Sequence, residues 1–174
     1  NYILKSDIKV VNQATFSKGF FDEKNIRYHE GTYNKGRLFN GDLVMASTGG
    51  GVLGKVYIFN QGEGYMADSH VTILRSSNDF INRYYYYFFL TNYSLINGIL
   101  SEGSTNQIEL QKEWLKCLYL PSPPIEEIEL IVKKIEAFVE KIDKAIASTY
   151  TQIEFINEYR QSLIYELVTG KRKP

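Results

Sequence analysis

The chain has 174 residues, with 20 Lys and Arg against 20 Asp and Glu, one Cys, 14 Tyr and 10 Phe. That length suits one globular domain with a real core plus an additional element, and the charge balance, which holds on both sides of Pro124, requires any nucleic-acid surface to be local rather than global. The lone Cys117 excludes an internal disulfide and a thiolate metal cluster, is expected to be a small buried apolar residue, and suits a reducing, cytoplasmic setting.

No apolar run approaches the length of a membrane span, and no signal-peptide pattern is expected, although Asn1 rather than Met opens the chain. Up to Gly41 the sequence lacks clear periodicity and mixes single apolar residues with Lys18, Lys24, Arg27, Lys35 and Arg37. Short strands and long loops are expected there, and such loops carry recognition more often than scaffold. From Asp42 the pattern sharpens. Residues Asp42 to Ala46, Lys55 to Phe59 and Val71 to Leu74 are β-branched or aromatic runs bounded by Gly, Asn or Ser, which predicts three strands.

Ser77, Asn78 and Asp79 offer N-caps, and Ile81, Tyr84, Tyr85, Phe88, Leu95, Ile96 and Ile99 recur near helical spacing. The pattern predicts one helix over 79–100, with a buried strand over Tyr84 to Phe89 as the competing reading. Gly103 and the polar turn Ser104, Thr105, Asn106, Gln107 follow, and Leu115 to Leu120 reads as a closing strand. Pro121, Pro123 and Pro124 then form a stiff junction.

Beyond it, Ile128, Val132, Ile135, Val139, Ile142, Ile146, Thr149, Ile153, Ile156, Arg160, Leu163 and Leu167 alternate steps of four and three, a sustained heptad seam that predicts one helix over 125–167. Roughly 43 residues at 1.5 Å each span about 65 Å, more than the preceding globule, so much of the helix is expected to project. An exposed apolar seam needs a partner helix. Because β-branched residues fill both seam rows, an antiparallel pair or a larger bundle is expected rather than a parallel dimer; the alternative is a solvated helix lying along its own domain.

Three constellations of chemistry-bearing residues are weighed and set aside. Gly49 to Lys55 has the glycine and lysine spacing of a phosphate loop, but Val56 occupies the place of the metal-binding hydroxyl and the next residues read as a strand. A glycine-rich hairpin loop is the plainer reading. Asp68, Ser69 and His70 are sequence neighbours that cannot all converge as a hydrolase triad, and no His, Cys, Asp and Glu set has metal-ligand spacing. No glycine-rich loop opens a helix, so no cofactor is expected on the chain.

The run Leu120 to Glu127, the Ile/Val seam and the ending Glu158 to Lys171 resemble the conserved region of the DNA specificity subunit of type I restriction-modification systems. Gly41 to Val44, Gly54, and Gly103 to Thr105 before Ile108 resemble the framework of that family's target recognition domain. Ile128 stands where the family usually has Gln. A complete specificity subunit has two recognition domains and two such helices, whereas this chain has one of each and starts late, so it resembles a half subunit or a fragment.

The resemblance implies an α+β fold: a mixed recognition domain over 1–121, a conserved helix over 122–170 forming an antiparallel coiled coil, and a basic tail over 171–174. It implies a non-catalytic protein that reads half of a bipartite site in double-stranded DNA and docks methyltransferase and restriction subunits. AdoMet, ATP and Mg²⁺ are expected only on those partners. The candidate DNA contacts are Lys18, Arg27, Lys35, Arg37, Thr48, Lys55, His70, Ser104, Thr105, Asn106 and Gln107. Ile128, Val132, Ile135, Val139, Ile142, Ile146, Ile153, Ile156 and Leu163 are the candidate interface of an antiparallel homodimer. A coiled-coil interaction scaffold that has lost DNA binding is the alternative.

Overall fold

The computed structural model describes residues 2–3, 6–30, 36–102 and 109–173. Its contacts divide the chain into two compact units, Asn1–Glu129 and Leu130–Pro174. The class is α+β, with strands and short helices followed by one long C-terminal helix.

Within the first unit, β1 (Tyr2–Ile3), β3 (Arg27–His29), β2 (Ile8–Val11) and β6 (Tyr65–Ala67) form a four-stranded sheet in that order. β2 runs parallel to β6, and the other pairs are antiparallel. Short strands are found where expected, with one helical turn the sequence pattern did not reveal: α1 (Gln13–Phe16), opened by a capping box in which the Asn12 side chain accepts from the Ala14 amide.

The second sheet is antiparallel with order β5 (Val56–Ile58), β4 (Leu43–Ala46), β7 (Val71–Leu74), close to the three predicted runs. All four residues of β4 are buried, because alternate side chains enter different cores. Val44 and Ala46 join Val11, Phe16, Leu38, Phe59, Tyr65, Ala67 and Val71, while Leu43 and Met45 join Leu53, Val56, Phe89, Ile96 and Leu110. β4 is therefore the strand on which both sides of the unit are built.

The helix predicted over 79–100 is two helices, α2 (Asp79–Thr91) and α3 (Tyr93–Leu100). Around Asn92 side chains take over helix carbonyls: the Thr91 hydroxyl donates to the Tyr87 and Phe88 carbonyls, and the Asn92 amide donates to that of Phe88 at 2.9 Å. This local competition ends α2. Two strands of two residues each, β8 (Ser101–Glu102) and β9 (Glu109–Leu110), then pair antiparallel.

The closing strand predicted over Leu115 to Leu120 is not formed. Lys112–Lys116 is a short helix, α4, and 117–120 is irregular. Leu115, Leu118 and Leu120 all pack against the second core, so the apolar spacing that suggested a strand is satisfied without a ladder. Cys117, expected to be buried, is exposed at the C-cap of α4, while Leu115, Leu118 and Leu120 pack against the core.

The last helix, α5 (Ile125–Val168), is 44 residues long. Pro124 accepts from the Glu127 and Ile128 amides in the first turn, and Gly170, at a φ of 70°, closes the end with its amide bonded to the Leu167 carbonyl. Ile128 and Val132 are buried within the chain. The seam is open from Val139 onward: Val139, Ile142, Ile146, Ile153, Ile156 and Leu167 are all exposed. No helix among the described residues is long and apolar enough to cross a membrane.

Candidate nucleic-acid interface

One end of the three-stranded sheet collects three of the six candidate contacts that lie within the described residues. β4 ends at Ala46, β5 starts at Val56 and β7 starts at Val71, so Thr48, Lys55 and His70 leave the sheet at the same edge. Backbone bonds weld this edge: the Ser47 amide donates to the His70 carbonyl and the Leu110 amide to the Ser47 carbonyl, each at 2.8 Å. Thr48 also bridges Glu109.

The Thr48 hydroxyl and His70 Nδ1 are 2.9 Å apart, and both residues are accessible. Behind them the Asp68 carboxylate accepts from the His70 backbone amide at 2.8 Å. Burial pushes the Asp68 carboxyl above the usual carboxylate range, with His70 and Arg27 opposing the shift. Arg27, the arginine that opposes the Asp68 shift, lies on β3 of the four-stranded sheet. The imidazole faces threonine rather than Asp68, so Asp68, Ser69 and His70 do not form a hydrolase triad. Among the described residues, no group of three or more His, Cys, Asp or Glu could hold a metal ion.

Residues 49–54 form the hairpin loop between β4 and β5. Gly49, Gly51 and Gly54 all take positive φ, which lets the loop fold back so that the Gly54 amide reaches the Ala46 carbonyl at 2.9 Å. α3 then holds the loop by its backbone. The Tyr93 hydroxyl donates to the Gly51 carbonyl and the Asn97 amide to the Leu53 carbonyl, both at 2.9 Å. A phosphate loop would have opened a helix here; instead a strand follows, as the residues after Lys55 implied.

Beside the loop, Lys18 and Lys55 line one groove of about 300 Å³ together with Phe16, Val56, Leu90 and Tyr93. Lys18 pairs with Asp22 at 3.0 Å, which lowers the carboxyl of Asp22. The groove therefore joins two candidate cations that stand 37 positions apart in sequence.

Arg37 belongs to a different place. It lies at the opposite end of the three-stranded sheet, where Arg75 grips the buried Asp42 carboxylate through Nε and Nη2 at 2.5 and 2.6 Å and donates to the Arg37 carbonyl at 2.9 Å. Phe39 stands between the two guanidiniums, 5.2 Å from Arg37 and 4.7 Å from Arg75. Arg75 and Phe39 were not singled out in sequence, and Asp42 was named only within a strand and the Gly41 to Val44 framework; Arg75 and Asp42 are 33 residues apart and no local pattern links them. Lys35, Ser104, Thr105, Asn106 and Gln107 lie outside the described residues.

The fold thus joins a mixed-sheet unit that offers cationic and hydroxyl side chains from its loops with a long helix whose apolar seam is exposed. Residues 2–154 match the family model described as the type I restriction modification DNA specificity domain, and the chain belongs to that family. It is also 27% identical over 139 residues to the type I restriction enzyme MjaX specificity subunit of Methanocaldococcus jannaschii, a match covering 78% of this chain and 32% of that protein. The chain thus spans about a third of the length of this curated relative.

Proposed function

We propose that this chain is a DNA-recognition component of a type I restriction-modification system. It reads half of a bipartite site in double-stranded DNA, pairs antiparallel through α5 with the helix of a second copy, and docks methyltransferase and restriction subunits without doing chemistry itself. AdoMet, ATP and Mg²⁺ then reside on those partners. The observation that carries the reading is the gathering of Thr48, Lys55 and His70 at one end of the three-stranded sheet, with Lys18 beside Lys55 in the adjoining groove. Such a set offers phosphate-binding cations beside short polar groups able to read base edges.

The test is DNA binding by the complex with its methyltransferase subunit, followed across salt concentration. Lys55→Gln should weaken binding evenly across sequences and reduce the salt slope by about 1, while His70→Ala should alter which half-sites are retained. A complex that assembles but holds DNA without salt dependence or sequence preference would favour the scaffold reading, which the open apolar stripe of α5 supports by itself.

A further inference from the structure

The stretch of α5 left open bears on how two copies meet. Ile128 and Val132 are only 3% and 0% exposed, whereas Val139, Ile142, Ile146, Ile153 and Ile156 are 41% to 67% exposed. Seam positions before Ile135 are thus already covered, and a partner helix has only Ile135 to Leu167 to pack against. In an antiparallel pair the two seam rows face one another alternately, so the register is set by which positions must be matched.

We infer that two copies pair in the register that matches Ile135 with Leu167 of the second copy, centred near Thr151. This rests on the proposed dimerisation through α5. The same register sets Val139 against Leu163, Ile142 against Arg160, Ile146 against Ile156 and Thr149 against Ile153. Using the whole seam from Ile128 to Leu167 instead would shift the centre by half a heptad to near Ala147 and would require Ile128 and Val132, which are buried.

Charge supplies each overlap with a different carboxylate, which lets the two be told apart. Arg160 is the one charged residue in the seam and is exposed. Opposite Ile142 it lies beside Asp143 of the second copy; in the whole-seam register it would lie opposite Ile135, beside Glu136. A seam arginine with a flanking carboxylate is a register device of the kind polar groups supply in coiled coils. In the inferred register the two Gln152 residues flank the two-fold axis, about 3 Å apart along the helices. In the whole-seam register the two Gln152 residues are offset by about 13 Å along the helices.

The experiment uses the full chain carrying Cys117→Ser, with a spin label on Gln152→Cys, together with light scattering. A dimer with closely apposed labels is expected. A dimer whose labels sit about 10 Å farther apart overturns the register while leaving dimerisation intact, and a monomer removes the dimer itself. Independently, Arg160→Glu should weaken the dimer at least tenfold, and Asp143→Arg in the same chain should restore it. Restoration by Glu136→Arg and not by Asp143→Arg would overturn the inference.

Discussion

Asp68 is held in a half-buried position that its charge does not favour. Because burial raises its carboxyl above the ordinary range, the folded chain binds that proton more tightly than the unfolded chain. Its contribution to stability is therefore full at low pH and is lost as pH rises through the folded value. Asp68→Asn keeps an oxygen that can accept from the His70 amide but carries no charge. The expected outcome is a higher Tm than the parent at pH 7 and no difference at pH values below the carboxylate range, read by thermal unfolding across pH. A lower Tm at pH 7 would mean that the coupling of Asp68 to Arg27 and His70 outweighs its burial.

At the scale of elements, α5 was legible because it is local: a heptad pattern, a proline junction and a terminal glycine all lie in one continuous stretch. The three strands of the second sheet were legible for the same reason. What escaped depends on contacts far apart in sequence or on side chains competing with the backbone. Thr91 and Asn92 split one amphipathic pattern into α2 and α3 without changing its period. Leu115, Leu118 and Leu120 satisfy a core without pairing as a strand. The candidate contacts were legible as residue types, but spacing could not bring Thr48 to His70 or separate Arg37 from both.

The open stretch of α5 yields the element's own prediction. Ile142→Asp with Ile146→Asp places charge in the exposed stripe, where it disturbs no buried contact of the single chain, but in a paired seam it should cost about 3 kcal/mol or more. Light scattering should show loss of the dimer, with the thermal unfolding of the first unit unchanged. An unaltered dimer mass would take the seam out of the interface.

For the whole molecule, the proposed pair makes helix length a ruler. One heptad inserted in the middle of the paired stretch keeps the seam and adds about 10 Å, equal to roughly three base pairs at 3.4 Å each. The preferred gap between half-sites should grow to match. Three base pairs also turn one half-site by roughly 100° about the DNA axis, so affinity should fall unless the DNA or protein twists. A four-residue insertion should do worse because it also rotates the seam. Selection of bound sites from a library of variable gaps by the intact complex checks this: an unchanged gap preference for the heptad variant would show that α5 does not measure distance.

The hold of α3 on the glycine loop carries a different consequence. Tyr93 and Asn97 grasp the carbonyls of Gly51 and Leu53, not their side chains, and the strand-edge bonds around Ser47 and His70 are likewise made by backbone. The scaffold of this edge is thus indifferent to much of what it displays. Under the proposed function, exchange of side chains such as those of Val52 and Lys55 should alter target preference while the loop keeps its path.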